Sequence, residues 1–168
     1  MALDTLHDLL EMELFDLYSA EKQIEQILPR LANAAASPEL RDAFEDDLRI
    51  TEQQLNRLDE ILEILDIRAD ERVSLGVEGM VRELEKIIGR DAEPAVKDSA
   101  LISSVQKIKH YQIAAYGSAR TYAHDLGLKN IEKLLRRTLD EASNTDKHLT
   151  HIAQGGIFSR GINQEAPL

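Results

Sequence analysis

Four stretches of this 168-residue sequence carry apolar residues at alternating spacings of four and three, and each is interrupted near its middle by residues able to do chemistry. The first runs Leu10, Leu14, Leu17, Glu21, Ile24, Leu28, Leu31, Ala35, and the second Leu40, Phe44, Asp47, Thr51, Gln54, Leu58, Ile61, Leu65. The third is Leu101, Val105, Ile108, Gln112, Ala115, Ala119, Tyr122, Leu126, and the fourth Ile131, Leu135, Thr138, Ala142, Thr145, Leu149, Ile152. Positions at this spacing face a partner helix, so each should be apolar. Glu21, the run Asp47, Thr51 and Gln54, then Gln112, and the small pair Ala142 and Thr145 break that rule. Burying a neutral polar group without a partner costs roughly 2–7 kcal/mol, so four breaks at one level predict a polar layer inside a helical bundle. Inward carboxylates at the mid-height of such a bundle are the scaffold of a di-iron or di-manganese centre. Hard and borderline cations need several anionic oxygens to offset their desolvation, and His adds a neutral nitrogen.

The elements that would position this layer follow from local signals. Thr5 with Asp8 reads as a capping box opening a first helix that runs to about Ala34, with Pro29 removing one helical donor inside it. Ser37-Pro38-Glu39 supplies an N-cap hydroxyl, a proline at the first helical position and an acid near the positive end of the dipole, so a second helix runs from there to about Leu65. Residues 66–74 are charged and aperiodic. A shorter helix over about 75–88 turns Val77, Val81, Leu84 and Ile88 to one side and stops at Gly89. Asp91-Ala92-Glu93-Pro94 starts a helix that ends at Gly127, and a last one begins within two or three residues and fades before Gly155-Gly156. The short connections make each pair of long helices antiparallel, and the segment between the pairs is a crossover, which is the ferritin-like arrangement of four helices. The hairpin geometry sets Glu21 beside Gln54 and Thr51, and Gln112 opposite Ala142. Residues 4–155 form the bundle, and 156–168 read as a loosely held tail.

Composition narrows the function classes. The net charge of −11, from 31 acidic against 20 basic residues, disfavours binding to nucleic acid or to an anionic membrane. There is no cysteine, hence no disulfide, thiolate nucleophile or Cys-based metal site. No stretch approaches the ~18 uninterrupted apolar residues of a membrane span, and no secretory signal is visible at Met1-Ala2-Leu3-Asp4, so the expected location is cytoplasmic. Nothing resembles a nucleophile–base pair, a Gly-rich phosphate loop or a dinucleotide fingerprint. Other constellations have plain structural readings. His148 and His151, one turn apart with Asp146 and Asp125 in the chain, suit zinc but also suit a solvated surface, and so do His7 and Glu11. His110 flanks the core beside Gln112, where a hydrogen bond to a neighbouring carboxylate accounts for it; Tyr18, Tyr116 and Tyr122 line the interior near the layer.

The pattern resembles the YciE/YciF family of ferritin-like proteins over about residues 4–155. The resemblance rests on Leu17-Tyr18-Ser19-Ala20-Glu21-Lys22-Gln23, on Phe44 with Leu48, Thr51 and Arg57-Leu58, and on Met80 in the crossover. It continues through Gln106-Lys107, His110-Tyr111, Ile113-Ala114 and Tyr116-Gly117 to Leu139, Thr145-Asp146 and Leu149. It implies a first-helix acid, matched by Glu21. It also implies His and Glu three apart in the second helix, where this chain has Asp47 and Ile50, and acids at the positions of Lys109, Gln112 and Ala142. Of these acids only Glu21 survives, with Asp47 as a substitute. The resemblance therefore implies a stress-associated protein whose di-metal centre is largely lost, with a structural or interaction role and no catalysis. No cofactor is expected. The alternative is a non-haem iron or manganese protein, or an oxidase, with a reduced metal site on Glu21 and Asp47.

On the metal-free reading, Glu21 is a neutral or hydrogen-bonded acid reaching Gln54, Thr51 or Gln112. A homodimer is the expected assembly, because Leu9, Phe15, Ile27, Leu55 and Leu62 lie outside the seams and read as outward apolar residues. The protein partner beyond a second copy is not specified by the sequence.

Overall fold

A computed structural model describes residues 3–70, 72–156 and 159–167. The chain is an all-α bundle of four long helices, α1 (Leu6–Ala34), α2 (Pro38–Ile64), α4 (Pro94–Asp125) and α5 (Lys129–Gln154), with α3 (Leu75–Ile88) in the crossover and a short α6 (Ile162–Glu165) at the end. The helix starts are those the sequence marks. Thr5 accepts from the Asp8 amide at 3.1 Å while Asp8 accepts from the Thr5 amide at 2.8 Å, closing the capping box. Ser37 caps α2 and Glu93 caps α4, each followed by proline at the first turn. The α1–α2 turn is also capped from a distance: buried Asp98, on α4, accepts from the amides of Ala36 and Ser37 at 2.9 and 2.7 Å. That carboxylate ties the two hairpins together at one end of the bundle. Gly127 turns α4 into α5 with a φ of 73°, a left-handed conformation that suits glycine.

The seams hold. Every seam position named above is buried except Leu65, Tyr122, Leu126 and Thr145, which are half-buried near helix ends or beside the layer. The polar layer splits the core into two apolar clusters. One gathers Ile24, Leu28, Leu31, Leu40, Phe44, Leu101, Val105, Ile108, Leu149 and Ile152; the other gathers Leu10, Leu14, Leu17, Leu58, Ile61, Ala119, Ile131 and Leu135.

Two expectations need correction. Phe15, Ile27, Leu55 and Leu62 are buried and Leu9 is half-buried, so none of them is a free outward surface. The crossover accounts for part of this: Ile27 packs in the cluster that includes α3, and the guanidinium of Arg72 sits 5.1 Å above the Phe15 ring. The crossover is itself pinned by Ser74, whose amide donates to Ser19 Oγ at 2.9 Å and whose hydroxyl lies 3.1 Å from Tyr111 Oη. The C-terminal segment is also not simply loose: a bridge between Gly155 and Arg160 turns the chain back, and Ile162 is buried in the core.

Candidate functional site

The layer between the two apolar clusters contains Glu21 from α1; Asp47, Thr51, Gln54 and Arg57 from α2; Lys109, Gln112 and Tyr116 from α4; and Thr138 and Ala142 from α5, all buried. Glu21 is fully enclosed. Its Oε1 accepts from Gln112 Nε2 at 2.8 Å and from the Tyr116 hydroxyl at 2.7 Å. Burial pushes its carboxyl up to about 7, against the pull of the Lys109 charge and of the hydrogen bonds from Tyr116 and Gln112. Burial and the neighbouring Glu21 carboxyl likewise push the Tyr116 phenol well above its ordinary value.

A buried ion pair lies next to this group. Lys109 Nζ donates to Asp47 Oδ1 at 2.7 Å, with each side chain 1% exposed. A third polar contact joins α2 to α5. Arg57 donates to Thr138 Oγ1 at 2.6 Å and to Glu141 Oε1 at 2.7 Å, and Gln54 Nε2 donates to Glu141 Oε2 at 3.3 Å. Glu141 reaches solvent at its edge, with a side chain 21% exposed. Each of these contacts joins a residue of the first hairpin to one of the second.

The predicted residues are thus brought into one layer, with different partners. Gln112 is the partner of Glu21, as one of the three expected. Gln54 turns instead to Glu141, and Thr51 makes no hydrogen bond through its hydroxyl. Ala142 is buried and supplies only bulk. The seam spacing missed Lys109, which only the family resemblance had set among the site positions, and it missed Tyr116's hydroxyl, Arg57 and Glu141 as members of the layer. A signal was present: Lys109 and Tyr116 each lie one residue beyond a seam position and at three–four spacing from Gln112 in the seam.

The layer has too few donors. Five buried side-chain oxygens, Glu21 Oε2, Asp47 Oδ2, Thr51 Oγ1, Gln54 Oε1 and Gln112 Oε1, have no hydrogen-bond partner among the described residues. The groups able to hold a metal here are the Glu21 and Asp47 carboxylates. Among the described residues no three His, Cys, Asp or Glu side chains converge as a metal-binding group. His148 and His151 are exposed, and so is His110, whose Nδ1 lies 2.9 Å from the Gln106 carbonyl and 3.5 Å from Asp146 Oδ1. Of the three tyrosines read as interior, only Tyr116 reaches the layer's hydrogen bonds; Tyr18 and Tyr122 are half-buried.

The fold and these residues find counterparts among known proteins. A family model described as "Domain of unknown function (DUF892)" matches residues 5–166. Protein YciF of Escherichia coli K12 is 34% identical over 165 residues, covering 98% of this chain and 99% of that protein. The crystal structure described as that of the E. coli stress protein YciF superposes with a TM-score of 0.86 at 36% identity, over 88% of this chain and 94% of that one. A chain from Rhodopseudomonas palustris, described as a putative structural protein, superposes with the same TM-score at 30% identity, over 91% of this chain and 99% of that one. With a family match over nearly its whole length and a full-length relative above 30% identity, the chain belongs to the DUF892 family, the family of YciF.

Proposed function

We propose that this chain is a non-catalytic, stress-associated member of its family, with a largely lost di-metal centre and a structural or protein-interaction role. The observation that carries this reading is the enclosure of the layer together with its ligand set. Glu21, Thr51, Gln54 and Gln112 have no exposed surface, and the second carboxylate, Asp47, is held by a lysine. Two carboxylates facing one fixed ammonium fit a pair of divalent ions poorly, because each ion needs several anionic or neutral ligands of its own. The relatives' descriptions, a stress protein and a putative structural protein, agree with a role outside catalysis.

The same reading includes a cytoplasmic location and a homodimer. Among the described residues no helix is long and apolar enough to cross a membrane. Support for self-association now comes from a different surface. Ile64, 49% exposed, stands beside half-buried Leu128 and Leu134, with Glu60 on α2 and Lys133 and Arg137 on α5 around it. A patch with an acid on one helix and bases on the next is self-complementary across a two-fold axis.

Metal analysis of protein purified without chelator tests the core of the proposal. Substoichiometric iron and manganese are expected. Near two irons per chain with a carboxylate-bridged absorption spectrum would refute it. Sedimentation at tens of micromolar tests the dimer, and a monomer there removes it.

A further inference from the structure

We propose that the slot holding the C-terminal hook, residues 159–167, is a docking site for a segment of a partner protein, and that the hook is its resident placeholder. The partner segment keeps the hook's Gly161-Ile162 pair and carries a basic residue in place of Glu165. The inference rests on the protein-interaction role above and adds the surface and the chemistry of its ligand.

The hook is attached by little. Ile162 is its one buried side chain, and Gln164 Nε2 donates to the Gln154 carbonyl at 3.3 Å. The backbone of α6 bonds to itself, from the Gln164 amide to the Gly161 carbonyl at 2.9 Å and from the Ala166 amide to the Ile162 carbonyl at 3.3 Å. Such a segment gains little against the entropy of ordering it, so it opens ahead of the bundle. The opening has a hinge: Gly155, at a φ of 76°, is followed by Gly156.

The slot does not depend on the hook for its shape. Its walls are the α1–α2 turn and the start of α4, held by Asp98 on the amides of Ala36 and Ser37 and by Glu93 on the amide of Val96 at 3.1 Å. No hook residue takes part in those bonds. The slot is also larger than its occupant: a cavity of about 360 Å³ remains between Ser37, Ala95 and Asp98 on the bundle and Ile162 and Glu165 on the hook. Entry is selective. A Cβ on residue 161 would stand 2.2 Å from the Gly155 nitrogen and 2.4 Å from the Ala153 carbonyl oxygen, so the residue before the aliphatic anchor has to be glycine.

The charges identify the better occupant. The cavity is lined by the carboxylates of Glu93, Asp98 and Glu165 and, among the described residues, by no basic group. The hook therefore sets its own acid against two others, whereas a lysine or arginine in that place is attracted by both.

Fluorescence polarisation with a labelled peptide of residues 159–167 carrying Glu165→Lys tests this on full-length wild type, Gly161→Ala and Ile162→Asp. Each substitution releases the hook and opens the slot. The opened chains should bind the peptide at least roughly tenfold more tightly than wild type, whose tethered hook competes at high effective concentration. The amide resonances of Ser37 and Ala95 should shift on binding. The unsubstituted peptide should bind the opened chains roughly threefold more weakly at low salt, and the gap should close at high salt. A peptide carrying Ile162→Asp should not bind. Absence of binding to both opened chains overturns the inference, and so does equal affinity for the opened chains and wild type. Failure of both variants to fold overturns it too, because the hook is then an obligatory part of the core. An unsubstituted peptide that binds as tightly as the lysine peptide also overturns it, the hook of a second copy then being the better occupant. In each of these cases the metal-free core stands, since metal analysis tests it separately.

Discussion

Replacing Glu21 by glutamine isolates one buried ionisation. In the folded chain this carboxyl is pushed up to about 7, from an ordinary glutamate value of 4.5, chiefly by burial. An acid raised in this way binds its proton more tightly when folded than when unfolded. Its stabilising contribution is complete below about 4.5 and is lost as pH rises through about 7. At about 1.36 kcal/mol per pH unit, the gap between the two values comes to about 3 kcal/mol of stability lost by wild type across that window. Glutamine cannot ionise, so Glu21→Gln should lose none of it. The geometry favours the substitution. The glutamine oxygen can keep the hydrogen bonds from Gln112 and Tyr116, and its amide can donate into a layer whose unpartnered groups are all oxygens. The opposing effect is the lost attraction between ionised Glu21 and Lys109, already contained in the value of about 7. The variant should therefore match wild type near pH 4.5 and exceed it by about 3 kcal/mol at pH 8, or roughly 6–12 °C in melting temperature. Denaturant titrations of both proteins at half-unit steps from pH 4.5 to 8 measure the difference, and other titrating groups cancel in the comparison. Parallel stability curves over the whole range would refute the reasoning, because Glu21 would then be ionised, or neutral, in both states alike.

Three further changes follow from the contacts described. Asp47→Leu alone strands the Lys109 ammonium and should cost about 3–5 kcal/mol, whereas Asp47→Leu with Lys109→Met should be close to neutral; a double-mutant cycle by urea denaturation measures both, and a double variant as weak as the single one would contradict this. Asp98→Ala frees the amides of Ala36 and Ser37 and should cost about 2 kcal/mol, with amide exchange quickening first in the α1–α2 turn. Gly161→Ala should detach the C-terminal hook, because its Cβ would clash with the Gly155 amide and the backbone of Ala153 and Gln154; rapid proteolytic trimming after α5 with the bundle intact is the expected result.

The helices and their inward faces were legible because the three–four spacing repeats over many turns and the starts of α1, α2 and α4 carry caps. Glu21 and Gln112 were legible as members of one layer for the same reason: both break an otherwise apolar seam at one height. The hydrogen-bond partners were less so. Gln54 and Thr51 face inward as expected, but whether Gln54 turns towards Glu21 or Glu141 depends on rotamers and on Arg57, which spacing does not encode. The spacing did not mark Lys109 as interior, because a lysine beside a seam ordinarily carries its ammonium out to water. Here α4 packs against α1, α3, α5 and α6, so the position beside its seam is interior too. The outward apolar residues failed for a related reason. A seam accounts for one partner helix, while the crossover and its flanking loop cover a second face whose contacts are not periodic.

The three polar contacts of the layer all run from one hairpin to the other, and this bears on the alignment of the two. Their apolar seams repeat every three or four residues, so sliding one hairpin along the other by a helical turn, about 5.4 Å, would still set leucine against leucine over most of the length. The layer does not repeat. A one-turn slide would place Lys109 against an apolar wall and separate Asp47, Glu21 and Arg57 from their partners together, at the cost of several buried unpaired groups. The doubly substituted layer, Asp47→Leu with Lys109→Met, relaxes that penalty, and duplicated amide resonances at unchanged helix content would be its mark. A core of uniform leucine would hold these hairpins at several heights; this one holds them at one.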